Sequence, residues 1–121
     1  MKRLLFCIAL VSLVMRADAA TKAFMVHGEG AVSCGAWAAD RREGHWYPES
    51  AWILGYLTAY NRYVWKKTDI AEGTDSDGIA AWMDGYCVAH PLDTIADGAQ
   101  QLIVALIARS LGGRLQNEYG P

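Results

Sequence analysis

The 121-residue sequence lacks the features that mark several large classes of protein. It has no excess of basic residues, because eleven Lys and Arg stand against thirteen Asp and Glu. This balance argues against a nucleic-acid binder that works through a basic surface. No apolar run approaches the roughly 20 residues that a transmembrane helix needs. The hydrophobic fraction of 53% argues against disorder, and the length favours one domain.

Motifs for catalysis and cofactor binding are also absent. The sequence contains no Gly-rich phosphate loop, no nucleophile elbow and no Ser/His/Asp set at a recognisable spacing. Its histidines form no zinc-binding pattern with cysteine or carboxylate; they are His27, His45 and His90. Spacing leaves open an acid pair among four carboxylates: Asp40, Glu43, Glu49 and Asp84. We therefore expect no enzyme, no cofactor and no metal site.

The first 19 residues have the pattern of a secretory signal peptide. Two basic residues precede an apolar run of twelve, Leu4 to Met15, and alanines at positions 17 and 19 suit signal peptidase. We expect cleavage after Ala19, which leaves residues 20–121 as a single periplasmic domain with a formal net charge of −4. The apolar run is too short to span about 30 Å of hydrocarbon, so we expect no membrane insertion after processing.

Two cysteines remain in the predicted mature chain, Cys34 and Cys87. An even pair in an exported protein is typical of a disulfide. The alternative is a nucleophilic cysteine beside a histidine, which an oxidising compartment disfavours. A disulfide that closes a loop of this length contributes about 4 kcal/mol in the chain-entropy model, a large part of the stability of a small domain.

Hydrophobic periodicity predicts an all-α domain of four helices, closed by the disulfide. The predicted spans are residues 34–43 after the N-cap Ser33, a second helix from Pro48, residues 75–89, and residues 93–110 with Asp93 as N-cap. Gly112 and Gly113 predict the end of the fourth helix. Residues 20–32 are expected to form an extended arm and residues 112–121 a polar tail.

The second helix has one wide apolar stripe. Trp52, Tyr56 and Tyr60 recur at helical spacing together with Gly55 and Ala59, and Ile53 and Leu57 widen the stripe. The two small residues predict close approach of a neighbouring helix.

Two groups of residues are candidates for a partner surface. The first contains aromatic residues that are hard to assign to the core: Trp46, Tyr47 and Trp65. The second lies off the core stripe of the fourth helix, which is apolar nearly all round: Val104, Ala105, Ala108 and Leu111. We expect these residues to contact a protein partner or a second copy of the chain.

The order of motifs resembles the HdeA/HdeB family of acid-stress periplasmic chaperones. Cys34 in a first helix is followed by Trp52-Ile-Leu-Gly55-Tyr56, and then by Tyr86-Cys87-Val-Ala-His-Pro91-Leu-Asp93. The similarity covers about residues 33–106. It implies a helical domain with one disulfide, no cofactor, and a chaperone-like role in which acid uncovers a surface for unfolded clients.

The chain is also broadly similar to a second group of small secreted helical proteins. These are the Rap1a/Tai-type immunity proteins of type VI secretion, which neutralise cell-wall-degrading effectors in the periplasm. That resemblance implies one specific protein partner in place of many unfolded clients.

Overall fold

The computed structural model describes residues 24–119, which form four α-helices and no β-strand. The helices are α1 (Cys34–Glu43), α2 (Tyr47–Tyr60), α3 (Ser76–Ala89) and α4 (Ile95–Tyr119). The predicted all-α fold with four helices is therefore confirmed. The predicted signal peptide, residues 1–19, lies outside the described residues.

Helix α1 has the predicted bounds because a capping residue precedes it and a glycine follows it. The Ser33 hydroxyl accepts a hydrogen bond from the Ala36 N–H at 3.2 Å, which satisfies an amide at the helix start. Gly44 adopts a left-handed conformation with φ of 80° and ends the helix. The Cys34 N–H donates to the Asp93 carbonyl at 2.8 Å, so the start of α1 is tied to the loop before α4.

The buried face of α2 differs from the predicted stripe. Ile53 and Leu57 are buried, whereas Gly55 and Ala59 are exposed. The predicted close approach at the two small residues is wrong, since an added Cβ at Gly55 would meet nothing within 4 Å. The large aromatic rings stack on each other at the flank, as Trp52 does on Tyr56 with 5.3 Å between ring centroids, and aliphatic side chains fill the core.

A π-helical turn, Asn61–Trp65, continues the direction of α2. The Asn61 side chain stabilises the loop that follows, because its Nδ2 donates to Asp69 and its Oδ1 accepts from the Ile70 N–H, both at 2.8 Å. These bonds place Ile70 in the core.

The start of α4 corrects the predicted N-cap. Thr94, not Asp93, precedes the first helical residue, and it forms a reciprocal capping box with Asp97. The Asp97 carboxylate accepts from the Thr94 N–H at 2.9 Å, and the Thr94 hydroxyl accepts from the Asp97 N–H at 3.2 Å. Asp93 accepts a hydrogen bond from the Tyr86 hydroxyl at 2.6 Å.

The predicted end of α4 is wrong, because residues 112–119 of the predicted polar tail are helical; residues 120 and 121 lie outside the described part of the chain. The helix passes through Gly112 and Gly113 and ends at Tyr119. Neither glycine has a positive φ, in contrast to Gly44. A glycine ends a helix only where the backbone turns left-handed, and helix-forming residues such as Arg114 and Leu115 follow here.

The predicted extended arm is wrong for residues 28–31, and residues 20–23 lie outside the described part of the chain. Gly28–Ala31 form a 3-10 turn that packs on α2. Trp52 Nε1 donates to the His27 carbonyl at 2.7 Å, and Gly30 is buried under the Trp52 ring, where a Cβ would overlap it. The segment is therefore part of the folded domain.

The core lies between the inward faces of all four helices. Its fully buried large side chains are Trp37, Ile53, Met83, Ile95 and Leu102. Within the described residues, none of the helices combines the length and the apolar character that crossing a bilayer requires.

Candidate functional site

The cysteines link α1 and α3 inside the core, as the sequence predicts. Cys34 and Cys87 form a disulfide with a Cα–Cα distance of 4.8 Å and a sequence separation of 53. Both residues are buried. The bond joins the first residue of α1 to the last turn of α3.

A second connection between α1 and α3 depends on one carboxylate. Asp84 of α3 accepts hydrogen bonds from Trp37 Nε1 at 2.8 Å, from Arg41 Nε at 2.9 Å and from Arg41 Nη2 at 2.8 Å. We call these three residues the Asp84 cluster. The hydrogen bond to Asp84 raises the pKa of Arg41, so the guanidinium stays charged and the pair is ionic. Asp84 is therefore not part of an acid pair.

Arg41 also forms the base of an aromatic stack at the start of α2. Its Cζ lies 4.3 Å from the centroid of the Trp46 ring, and Trp46 stacks on Tyr47 with 4.8 Å between centroids. Trp46 packs edge-on against buried Trp37 at 6.1 Å, whereas Tyr47 is 70% exposed. The Arg41–Trp46–Tyr47 stack thus presents a fixed aromatic surface to solvent.

Several carboxylates lie close together at the turn between α1 and α2. Glu49 is only 4% exposed, and its Oε2 has no hydrogen-bond partner among the described residues. Burial, followed by hydrogen-bond contact with Asp40 and by the nearby charges of Asp40 and Glu29, raises the pKa of Glu49. Of the four carboxylates whose pairing spacing leaves open, Glu49 therefore has Asp40 as a neighbour.

Two further ionisable side chains lie beside Asp40. Single ligand atoms of Asp40, Glu43 and His45 all lie within 4.8 Å of one another, and His45 Nδ1 is 3.7 Å from Glu43 Oε2. Helical spacing does not indicate this group, because Glu43 and His45 flank a left-handed glycine and share no helix face. The signal was the run Asp40-Arg-Arg-Glu43-Gly44-His45, in which a glycine turn folds the chain back.

Trp65 lies at the other end of α2 from Trp46. It lines an open cleft of about 430 Å³ together with residues of the following loop and of α4, including Lys67, Arg109 and Ser110. Lys67 Nζ lies 4.5 Å from the Trp65 ring centroid. Nineteen residues of helix separate Trp46 from Trp65, which corresponds to more than about 25 Å. The three predicted aromatic residues therefore do not form one surface.

The α4 row, defined as Val104, Ala105, Ala108 and Leu111, lies largely in solvent. Val104 is 56% exposed and Leu111 is 49% exposed, Ala108 is exposed and Ala105 is half-buried. The core stripe of the same helix is buried through Ile95, Leu102 and Leu106. An exposed apolar row on a helix whose other face is buried is available to a partner.

Comparison with protein-family models, with curated proteins and with solved structures finds no match for this chain. The structure defines its class as a small all-α protein with one buried disulfide.

Proposed function

We propose that this chain is a periplasmic protein-binding protein with a chaperone-like role in acid stress. The observation that carries the proposal is the double connection between α1 and α3. One connection is the Cys34–Cys87 disulfide, which acid does not break, and the other is the Asp84 cluster, which needs an ionised carboxylate. A protein with these two connections loosens in acid while its chain stays covalently closed.

Strong acid acts on several parts of the fold at once. Strong acid neutralises carboxylates, which weakens the Arg41 ion pair and removes the charge from the α4 capping box. With carboxylates neutral and histidines charged, the predicted mature chain has eight Lys and Arg and three His, so repulsion between positive charges favours expansion. Glu49 acts in the opposite direction. Burial raises the pKa of its carboxyl, so protonation in acid removes the cost of burying a charge and stabilises the fold.

The folded protein already exposes apolar side chains near the end of α3. Val88 at the end of α3 is 80% exposed and Leu92 in the next loop is 94% exposed. If α1 separates from α3, aliphatic and aromatic side chains of the core become exposed next to Val88 and Leu92. Unfolded clients bind apolar surface of this kind.

The decisive experiment is suppression of aggregation of an unrelated client at about pH 2–3, compared with pH 7. We expect suppression in acid by the oxidised protein and none by an equal mass of a control protein. Asp84→Asn should move the onset of activity to higher pH, because the amide is a weaker acceptor for Arg41. Glu72→Gln, an exposed site in the loop before α3, is the control and should leave the onset unchanged. Absence of suppression in acid would contradict the proposal.

The α4 row is the proposed contact surface for clients or for a second copy of the chain. Val104→Glu combined with Ala108→Glu should leave a folded protein, because both positions are exposed. We expect the double variant to be monomeric by light scattering and weaker in client suppression. If the wild type is already monomeric at high concentration and the variant suppresses aggregation equally well, the row is not a contact surface.

The Arg41–Trp46–Tyr47 stack favours a second candidate function, that of an immunity protein for one effector. Trp, Tyr and Arg held in a fixed arrangement dominate many specific interfaces. An immunity protein should protect cells against a cell-wall-degrading effector encoded beside its gene, and Tyr47→Ala should abolish protection. Binding to many clients without such protection would contradict this candidate.

A further inference from the structure

We propose that Asp40, Glu43 and His45 form a binding site for a divalent transition-metal ion at the turn between α1 and α2. Each residue offers one ligand atom, and the three atoms lie within 4.8 Å of one another. Zinc bonds of about 2.0–2.2 Å in a tetrahedral site place ligand atoms about 3.5 Å apart. Small rotations of partly exposed side chains are enough to close the difference.

The backbone fixes the position of these ligands. Asp40 and Glu43 are three residues apart at the end of α1 and share one side of the helix. Gly44, with φ of 80°, then reverses the chain. The His45 N–H donates to the Asp40 carbonyl at 2.9 Å, so His45 is held beside the last turn of the helix.

An independent observation indicates a missing positive partner. Glu49, at the start of α2, is only 4% exposed, and its Oε2 has no hydrogen-bond partner among the described residues. No described Lys or Arg forms an ion pair with Asp40, Glu43 or Glu49, and the one ion-pair contact in this group is His45 with Glu43. A cation bound to Asp40 and Glu43 would offset this concentration of negative charge.

The donor set indicates which ion fits. One imidazole and two carboxylates match Zn²⁺, whereas Ca²⁺ and Mg²⁺ prefer oxygen ligands in larger number or strict octahedral geometry. Three protein ligands leave a fourth position for water. The bound ion would also fix the turn that carries the Arg41–Trp46–Tyr47 stack.

The test is calorimetric titration of the oxidised full chain, purified without a histidine tag, with ZnCl₂. We expect one ion per chain, a change in Trp fluorescence on binding because Trp46 adjoins His45, and little heat with Ca²⁺ or Mg²⁺. His45→Gln and Asp40→Asn should each weaken binding by at least about tenfold, with near-UV circular dichroism confirming that the variants are folded.

His90→Gln is the matched control. His90 also lies beside a carboxylate, since its Nδ1 is 3.8 Å from Asp93 Oδ2. Among the described residues, however, it belongs to no group of three side chains that could bind a metal ion. We expect this variant to bind Zn²⁺ as the wild type does. Equal weakening by His45→Gln and His90→Gln, or no binding by the wild type, would overturn the proposal.

Discussion

Arg41 and Asp84 form a two-point ion pair across 43 residues of sequence, with Nη2 at 2.8 Å from Oδ2 and Nε at 2.9 Å from Oδ1. The geometry uses the planar fork of the guanidinium, which a lysine ammonium does not reproduce. Because Trp37 donates to the same carboxylate, the pair also orients a fully buried ring.

Arg41→Lys should lower the free energy of unfolding by about 1–2 kcal/mol, because one two-point charged hydrogen bond is lost at a partly exposed site. Urea unfolding at neutral pH measures this change. Arg42→Lys, on the same helix but exposed, should change stability by less than about 0.5 kcal/mol. Equal effects of the two substitutions would show that the ion pair does not stabilise the fold.

Asp97→Asn should lower stability at neutral pH by about 1 kcal/mol, because the capping box loses its charged acceptor. Hydrogen bonds from the Thr94 N–H and hydroxyl lower the pKa of Asp97. Its contribution is therefore present above the unfolded pKa of about 3.9 and is lost as pH falls through the folded value. Urea midpoints at pH 7 and pH 2 test this, and a difference that persists unchanged at pH 2 would argue against it.

Glu49→Gln should have the opposite sign and raise stability at neutral pH by about 1 kcal/mol. Burial raises the pKa of Glu49, so ionisation costs stability above the folded pKa, and this cost disappears below the unfolded pKa. The gain should therefore vanish in acid. Glu43→Gln, at an exposed position of the same cluster, is the control, and both variants are measured in chelator. A loss of stability at pH 7 would contradict the sign.

Two glycine substitutions separate packing from backbone effects. Gly30→Ala should destabilise the protein by about 1–3 kcal/mol, because the new methyl group overlaps the Trp52 ring. Gly55→Ala lies on the exposed side of α2 with open space around it and should stabilise the helix by up to about 1 kcal/mol. Thermal melts of the two variants give the comparison, and shifts in the same direction would contradict the described packing.

The sequence predicted correctly those helix ends and pairings that depend on neighbouring residues. Ser33 and Gly44 set the bounds of α1 through a side-chain cap and a left-handed turn, and both effects act within a few residues. The cysteine pair followed from the even number of cysteines in the predicted mature chain and from its predicted export. On α3, Ile79, Met83 and Cys87 recur at a spacing of four residues and are all buried, as expected for the inward side of a helix.

Long-range packing decided the parts that the sequence did not predict. On α2, hydrophobicity did not distinguish Trp52 from Ile53, and only the neighbouring helices select the aliphatic face for the core. Gly112 and Gly113 resemble a stop signal, but a stop needs left-handed backbone and not merely glycine. The partners of Asp84 lie on α1, 43 and 47 residues away, so spacing along the chain could not assign them.

The disulfide divides the oxidised chain into a closed ring and two tails. The ring runs from Cys34 to Cys87 and contains α1, α2 and α3, whereas α4 belongs to the tail that follows it. Helix α4 supplies Ile95, Leu102 and Leu106 to the core, and among the described residues no disulfide ties it to the ring. When the fold opens, α4 can therefore move away from α3 while the ring stays covalently closed, and this movement uncovers Met83, which lies against Gly98 of α4.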